Sequence, residues 1–354
     1  MIYLIVVSQQ IFATVATSFL SLPEKKSNDI LEMKVFGLDN IRSTCYLNTT
    51  LQCLFSYDEF TRELLQGDNE NYDEGSITSS LISILKNNCK RGIRSFIRAL
   101  MQKVNWFQFL EHNDINEFIL LLFDQLNREL IQYTNDRPIK YIKCSDSRLQ
   151  KFTAKANKSW YGFVKNENTW FNDLSTGQLV HQIICGHCSK IHHTFENFCL
   201  LDIEIPEGKE NISLKDCFSQ FFEKQHINTD ESDPEKWKCD NCGMCAKSYK
   251  SCKIVRSPVM FIISLKRFKR KNDKFVKNSV HVSVPKTIDI SGCSLENESF
   301  QLNAIANHMG STHGGHYNAF SKRNTSWYLI DDEEVKPVVD VHDRSAYTVF
   351  FRKF

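Results

Sequence analysis

The sequence lacks an excess of charge of either sign. Its 354 residues carry 44 Lys and Arg against 42 Asp and Glu, which gives a formal net charge of +2. A strongly basic chain would favour a nucleic-acid partner and a strongly acidic chain a basic partner, so this balance predicts neither. Hydrophobic residues make up 42% and charged residues 24%, which excludes a fully disordered or collagen-like chain. The length predicts about two domains, or one large domain with several lobes.

Long hydrophobic runs are also scarce. Only residues 1–22 are mostly apolar, and residues 23–32 have the composition of a polar linker. The apolar stretch lacks the basic n-region of a signal peptide and is marginal for the ~20 apolar residues of a membrane-spanning helix. Residues 1–32 are therefore interpreted as an N-terminal extension. Membrane or secretory targeting by residues 1–22 and a translation start at Met33 stay open as alternatives, and we expect membrane association only through residues 1–22.

The 13 cysteines are an odd number and are scattered along the chain. Small secreted proteins instead concentrate their cysteines in a short disulfide scaffold. The pattern favours reduced thiols, some of which serve metal binding or catalysis. We therefore expect a cytoplasmic or nuclear protein, and an oxidised extracellular protein with one unpaired thiol is the alternative.

The order of predicted helices and strands indicates the fold class. The sequence has no internal repeat and no low-complexity tract. Apolar residues at helical spacing predict helices over 44–55, 81–85, 96–101 and 117–131, whereas 134–170 is ambiguous. After Leu174, β-branched and aromatic residues predict strands over 178–184, 191–195, 200–205, 259–268, 300–307, 316–321, 326–330 and 347–352. A helical first part followed by a strand-rich second part predicts an α+β fold.

Two CxxC pairs occur in the second half of the chain: Cys185 with Cys188, and Cys239 with Cys242. A CxxC turn places two thiolates on one side of a tight loop, and two such loops complete a tetrahedral Zn²⁺ site. We expect one structural Zn²⁺ with four protein ligands, and no catalytic cofactor. Two unrelated turns, or ligation by His187, Cys245 or Cys252, remain alternatives. A nucleic-acid-binding finger is disfavoured because no basic recognition helix follows either pair.

Cys45 is the candidate nucleophile. It lies at the predicted start of a helix, where the helix dipole favours a thiolate. A base is available in His316, which follows two glycines that leave the backbone bare for a substrate chain to pass. A predicted strand that ends in Asp331 and Asp332 supplies a carboxylate to fix the imidazole tautomer. The three side-chain types together point to nucleophilic catalysis by a cysteine.

The chain resembles the ubiquitin-specific proteases, cysteine peptidases that remove ubiquitin. The resemblance covers about residues 34–353, with the motifs in the order that the family has them. They are Gly37 to Asn40 with Thr44 to Asn48, Asn113 to Phe118, the two CxxC pairs, Leu265 to Phe268, His308, Gly314 to Tyr317, and Tyr328 to Asp332.

The resemblance implies a papain-like α+β catalytic domain over 33–354, with a helical thumb at about 33–170 and the zinc-ribbon fingers and palm at about 171–354. Cys45 would be the nucleophile and His316 the general base and then the general acid. Asp331 would orient His316, with Asp332 as a neighbouring support. Asn40 would donate to the oxyanion. The scissile bond would be the amide after the C-terminal glycine of ubiquitin.

The resemblance also implies a set of substrate-binding residues: Asp114, Glu117, His308, Gly314, Gly315 and Tyr317. For the two carboxylates, a solvated helix N-terminus stabilised by the dipole is the alternative interpretation. The implied partners are ubiquitin and ubiquitinated proteins, with the chain acting as a monomer. Arg42 and Ser43 stand where the family usually has Gly-Asn or a similar small pair, and an Arg there would be strained if the loop needs a positive φ.

Two other functions remain alternatives to an active protease. One is a catalytically weak relative that binds ubiquitin without cleaving it, which the Arg42 and Ser43 pair would favour. The other is a zinc-ribbon module that binds nucleic acid or acts as a scaffold, which the near-neutral charge disfavours.

Overall fold

The computed structural model describes residues 34–66, 72–87, 92–133, 137–143, 149–208, 211–228, 236–272, 274–311, 314–341 and 344–354. The predicted N-terminal extension, residues 1–32, lies outside these ranges. Most helices come first along the chain: α1 Cys45–Leu54, α2 Asp58–Gln66, α3 Ile77–Asn87, α4 Ile93–Lys103, α5 Ile115–Leu130, a 3₁₀ turn Ile131–Tyr133, α6 Gln150–Val164 and α7 Trp170–Ser175, followed later by α8 Leu214–Phe222. Within the described residues, no helix combines the length and the apolar character needed to cross a membrane.

The strands follow from residue 177 onward. They are β1 Gly177–Ile184, β2 Ile191–Phe198, β3 Leu201–Ile203, β4 Ile212–Ser213, β5 Gln225–Ile227, β6 Ser248–Arg256, β7 Met260–Leu265, β8 Phe268–Lys271, β9 Lys274–Lys277, β10 Val282–Ser283, β11 Thr287–Asp289, β12 Ser299–Ser311, β13 Gly314–Arg323, β14 Ser326–Asp331, β15 Glu334–Val338 and β16 Ala346–Lys353. The helical first part and strand-rich second part confirm the predicted α+β order.

Two sheets organise the second part. One sheet has four strands in the order β2-β1-β6-β5, and we call it the fingers sheet. The two CxxC pairs lie in the connections between β1 and β2 and between β5 and β6. A larger sheet runs in the order β15-β14-β13-β12-β16-β7-β3, with β11 paired to β12, and we call it the palm sheet. Short pairs β10-β4 and β8-β9 complete the strand pairing of the described residues.

The palm sheet is buried on both faces, as the uninterrupted apolar run of β7 indicates. Met260 and Ile262 face a core shared with helices α1 to α5, whereas Phe261 and Ile263 face a second core that includes α8. All six β7 residues are buried. A strand covered on both faces has no need for alternation, so its sequence is continuously apolar.

Helix α1 is fixed between the helical region and the palm sheet, and each of its ten residues is buried. Its carboxyl end is held by Arg323, whose guanidinium donates to the Gln52 carbonyl and side chain at 2.9 Å each. The Ser321 hydroxyl donates to the same carbonyl at 2.8 Å. A cation at a helix C-terminus also complements the dipole. These contacts fix the C-terminal end of α1 to the palm sheet, and the helix places its first residue, Cys45, beside β13.

Candidate active site and metal centre

Cys45 is the first residue of α1, as predicted, and is 3% exposed. Its sulfur is therefore near the positive end of the helix dipole. The thiol lies close enough to the imidazole of His316 on β13 to raise the pKa of that histidine. The two groups come from opposite ends of the sequence and meet because α1 packs along β13.

His316 is held from its other side by Asp331 at the end of β14. Its Nε2 lies 2.5 Å from Asp331 Oδ1, so Nδ1 is the ring nitrogen left for the Cys45 thiol. The hydrogen bond with Cys45, followed by the hydrogen bond and charge of Asp331, raises the pKa of His316 to about 9 against the opposing effect of burial. The predicted Cys-His-Asp arrangement is therefore assembled in space.

Asp332 contacts the segment before Cys45. Its two carboxylate oxygens each accept a hydrogen bond at 2.7 Å, one from Asn40 Nδ2 and one from Asn48 Nδ2. Its carbonyl accepts from the backbone N–H of Leu38 at 2.8 Å. Burial raises the pKa of Asp332, against the effect of the two amides.

Asn48 was missed by sequence reasoning. It lies within the motif that begins at Thr44, three residues after Cys45 and so close to one helical turn along the same side of α1. That spacing was the available signal.

The loop from Asn40 to Thr44 is ordered by short-range hydrogen bonds. Asn40 Oδ1 accepts from the Thr44 backbone N–H at 3.1 Å, and the Thr44 hydroxyl accepts from the Ile41 N–H at 2.9 Å. Arg42 has φ of 65°, the left-handed region that a glycine would adopt at lower cost. The loop therefore does need a positive φ at this position, and Arg42 adopts the strained conformation that was expected of it.

A groove of about 390 Å³ leads to Cys45. The predicted substrate-binding residues that line it are Asp114, His308, Gly314, Gly315 and Tyr317. Glu117 is exposed on the first turn of α5 and is not part of this lining. Asp114 also caps α5, because its Oδ1 accepts from the Asn116 backbone N–H at 2.8 Å. The alternative interpretation of Asp114 as a helix-terminal carboxylate is thus compatible with its place in the groove.

Strands β12 and β13 approach each other closely beside the groove, at Gly315. A Cβ atom on Gly315 would lie 2.3 Å from His308 Nε2 and 2.5 Å from the Met309 carbonyl, so only glycine fits. Burial lowers the pKa of His308 to about 4, which keeps its imidazole neutral at pH 7. A backbone this bare suits an extended substrate segment that carries little side-chain bulk.

The four cysteines of the CxxC pairs form one cluster. The Cys185 and Cys242 sulfurs lie 3.8 Å apart, and those of Cys188 and Cys239 lie 3.7 Å apart. All four sulfurs are within 4.8 Å of one another. A Zn²⁺ with Zn–S bonds of about 2.3 Å at tetrahedral angles separates its sulfurs by about 3.8 Å, so the donor set fits that ion. His187, Cys245 and Cys252 lie outside the cluster.

The two knuckle loops have matching backbones. The N–H of Ser189 donates to the Cys185 carbonyl at 3.0 Å, and the N–H of Gly243 donates to the Cys239 carbonyl at 2.8 Å. Both donors have positive φ, 58° and 72°. A Cβ on Gly186 would lie 1.8 Å from the Lys247 carbonyl, so this position in the first knuckle also requires glycine.

Comparison with known proteins identifies the family. The model of the ubiquitin carboxyl-terminal hydrolase family matches residues 36–351. Ubiquitin carboxyl-terminal hydrolase 21 of Rattus norvegicus is 28% identical over 350 residues, covering 89% of this chain and 61% of the relative. Ubiquitin carboxyl-terminal hydrolase 5 of Saccharomyces cerevisiae is 25% identical over 367 residues, covering 90% of this chain and 45% of the relative. The chain thus spans about three-fifths or less of the length of these curated relatives.

Solved structures share the fold. A SAGA DUB module of Ubp8, Sgf11, Sus1 and Sgf73 bound to monoubiquitin matches with a TM-score of 0.73 at 18% identity, covering 99% of this chain and 74% of that chain. A second such module, bound to ubiquitin aldehyde, matches with a TM-score of 0.71 at 18% identity, covering 92% of this chain and 71% of that one. With the family match over 36–351 and the predicted architecture found in space, this chain belongs to the ubiquitin carboxyl-terminal hydrolase family.

Proposed function

We propose that this chain is a deubiquitinating cysteine protease that hydrolyses the isopeptide or peptide bond after the C-terminal glycine of ubiquitin. The observation that carries the proposal is the His316 imidazole, which contacts Asp331 through Nε2 and interacts with Cys45, beside a groove lined by Cys45, Gly314 and Gly315. The family match and the solved relatives bound to monoubiquitin and ubiquitin aldehyde support ubiquitin as the partner.

The reaction proceeds in two stages. The Cys45 thiolate attacks the carbonyl carbon of the terminal glycine, and a tetrahedral oxyanion forms. The C–N bond then breaks, and His316 gives its proton to the departing amine, which leaves a thioester. In the second stage neutral His316 takes a proton from water as the water oxygen attacks the thioester carbonyl. The C–S bond then breaks, which releases the Cys45 thiolate and ubiquitin with a free carboxylate. Asp331 stabilises the imidazolium that donates a proton in the first stage and forms in the second.

Asn40 is the proposed donor to the oxyanion. Its Nδ2 carries two hydrogens, and only one is needed for the bond to Asp332. The second is available for the oxygen that becomes negative. Asp332 and the Thr44 backbone fix the amide from both ends. A donor held in place before the reaction avoids a reorganisation cost in the transition state.

The proposed substrate contacts divide between the groove and the surface beyond it. His308, Gly314, Gly315 and Tyr317 would border the extended C-terminal tail of ubiquitin in the groove. Asp114 and Glu117, at the start of α5, would contact ubiquitin beside the groove. The exposure of Glu117 supports a contact with a large partner.

One structural Zn²⁺ is proposed for the fingers sheet, held by Cys185, Cys188, Cys239 and Cys242. The sulfur separations support this assignment. Four protein ligands fill a tetrahedral ion, so the metal would join the two knuckle loops and would have no open position for substrate.

The test is turnover of a fluorogenic ubiquitin C-terminal amide by the full chain and by two cysteine variants. Cys45→Ala should lose turnover and keep ubiquitin binding, because only the nucleophile is removed. Cys53→Ala is the matched control, since Cys53 is fully buried on the same helix. It should retain turnover in the folded fraction. Equal loss in both variants, or turnover by Cys45→Ala, would contradict the assignment, and ubiquitin binding without turnover by the parent chain would indicate a non-cleaving relative.

A further inference from the structure

Three polar side chains form a row across the palm sheet beside the candidate active site. Asn307 on β12 pairs directly with Asn318 on β13. The register that pairs Ala319 with Ile330 brings Asn318 opposite Asp331 on β14. Directly opposed residues on neighbouring strands share one face of a sheet. We call Asn307 and Asn318 the asparagine ladder.

The ladder is connected by hydrogen bonds that end on Asp331. Asn307 Nδ2 donates to Asn318 Oδ1 at 3.1 Å, and Asn318 Nδ2 donates to Asp331 Oδ2 at 3.2 Å. Asp331 Oδ1 is the oxygen that contacts His316 Nε2. The two carboxylate oxygens are therefore held by two different partners, which fixes the plane of the carboxylate.

The charge of Asp331 dictates the orientation of both amides. An ionised carboxylate only accepts hydrogen bonds, so Asn318 must present its NH₂ group to Asp331. Its oxygen then faces Asn307, which must present its own NH₂ group in turn. Both amide dipoles consequently point their positive ends toward Asp331, and hydrogen bonds in such a chain strengthen one another.

The ladder is buried and incompletely satisfied. Asn307 is 4% exposed and Asn318 is 7% exposed. Among the described residues, the buried Asn307 Oδ1 has no hydrogen-bond partner. A buried amide with an unpaired oxygen costs stability compared with an apolar side chain of the same size. Its presence in the sheet therefore points to a role other than holding the strands together.

We propose that the asparagine ladder is a positioning device for the reaction, which holds Asp331 in the orientation that supports His316. This inference rests on the proposed function. Asn318 is not one of the residues that line the groove and would act through its hydrogen bond to Asp331. The charged and titratable groups that face His316 are Cys45 from α1 and Asp331 and Asp332 from the end of β14.

Removal of the ladder should weaken the imidazolium form of His316. In Asn318→Leu, Asp331 loses the partner of its second oxygen and rotates away from His316 more often. The pKa of His316, which is raised to about 9 partly through Asp331, then falls toward its ordinary value of 6.5. One hydrogen bond to a charged group corresponds to a loss of roughly 10- to 100-fold in kcat, and KM for ubiquitin should stay unchanged.

The experiment measures alkylation of Cys45 by iodoacetamide across pH 5 to 10, followed at the Cys45 peptide by mass spectrometry. This reaction needs no ubiquitin, so it remains informative if the unsubstituted chain proves inactive. The variants are Asn318→Leu, Asn307→Leu and the matched control Asn303→Leu. Asn303 is a buried β12 residue, 5% exposed, whose Nδ2 donates to Ser56 Oγ at 2.6 Å away from the site.

The rate of Cys45 alkylation should change at high pH, where the His316 imidazolium loses its proton. The expected result is a graded shift of this transition to lower pH. The shift should be largest in Asn318→Leu, smaller in Asn307→Leu and absent in Asn303→Leu. If Asn318→Leu does not fold, the comparison of Asn307→Leu with Asn303→Leu decides. An unchanged transition in a folded ladder variant, or an equal shift in the control, would overturn the proposal, since a purely structural role predicts lower stability without a change in the titration.

Discussion

Cysteine serves two different purposes in two regions of this molecule. In the fingers sheet, four thiols lie within 4.8 Å of one another. At the start of α1, a single thiol is paired with an imidazole and borders an open groove. The first arrangement leaves no coordination position for a substrate, and the second leaves one face of the sulfur open.

The difference shows that partner identity decides what a buried thiol does. Cys45 and Cys239 are 3% and 0% exposed, so burial alone does not distinguish them. Cys53, on the same helix as Cys45, is also buried, and burial raises its pKa far above the ordinary value. A fully buried thiol, a cluster of candidate metal ligands and a candidate nucleophile thus occur in one chain.

The largest effect is expected from breaking the metal-binding arrangement. Cys188→Ser should abolish Zn²⁺ binding, because a structural zinc site contributes on the order of 10 kcal/mol to the folding of its loops. Elemental analysis should find about one Zn²⁺ per parent chain and none in the variant, with a lower thermal transition. Cys245→Ser is the matched control, since Cys245 is exposed and lies outside the cluster. Zinc retained by Cys188→Ser, or lost by Cys245→Ser, would contradict the ligand assignment.

Asn40→Ala should give the next largest effect, on catalysis, together with the loss of the bonds that join Asn40 to Asp332 and Thr44. Removal of an oxyanion donor costs about 10²–10³ in kcat, while KM should change little. Steady-state turnover of a ubiquitin C-terminal amide measures both. Asn87→Ala is a control, because Asn87 is an exposed residue at the end of α3. If kcat of Asn40→Ala stayed within threefold of the parent, the oxyanion role would be wrong.

The pH dependence of turnover tests the feature that distinguishes Cys45 from the clustered thiols, which is its pairing with the imidazolium of His316. The pKa of His316 is raised from 6.5 to about 9, so the imidazolium persists through neutral pH and is lost as pH rises through 9. Turnover should therefore decline above about pH 9, by roughly tenfold per unit. A decline that begins near pH 6.5 would show that neither Cys45 nor Asp331 supports the imidazolium.

The smallest effect is expected from Arg42→Gly. Arg42 has φ of 65°, which costs an L-residue about 1–2 kcal/mol, while the freedom that glycine gains in the unfolded chain offsets about 0.5–1 kcal/mol. We expect a rise of up to about 1 kcal/mol in the free energy of unfolding. Turnover should stay within about twofold, because His316 is affected by Cys45 and Asp331 and not by Arg42.

Denaturant unfolding and turnover of Arg42→Gly test this, with Arg42→Lys as the variant that keeps both charge and strain. A large fall in the turnover of Arg42→Gly, with Arg42→Lys unaffected, would show that the positive charge activates Cys45.

Most of the fold could be predicted from periodicity and motifs. The helix expected over 117–131 is found at Ile115–Leu130, and the strand expected over 178–184 is found at Gly177–Ile184. Helix α6 lies in the segment that was ambiguous. Its buried positions are few, and lysines separate them, so the apolar stripe is weak. Strand β6 was also not predicted, because only four of its nine residues are buried and these are not in strict alternation.

The candidate site was predictable to the extent that its residues lie in local motifs. Cys45, His316 and Asp331 each stand in a short recognisable pattern, and the structure brings them together. Asn318 could not be found in this way, because its contact with Asp331 depends on the register of two strands. Strand register is set by the hydrophobic pattern of both strands together with the turn that joins them, so it cannot be read from either strand alone.

The most direct test of the account is to react the full chain with ubiquitin that carries a C-terminal electrophile and to map the adduct by peptide mass spectrometry. The 13 cysteines compete within one molecule. The account predicts a single covalent ubiquitin on Cys45, none in Cys45→Ala, and no adduct on Cys185, Cys188, Cys239 or Cys242. An adduct on a fingers cysteine, or labelling that persists in Cys45→Ala, would contradict the division between one reactive thiol and four that bind metal.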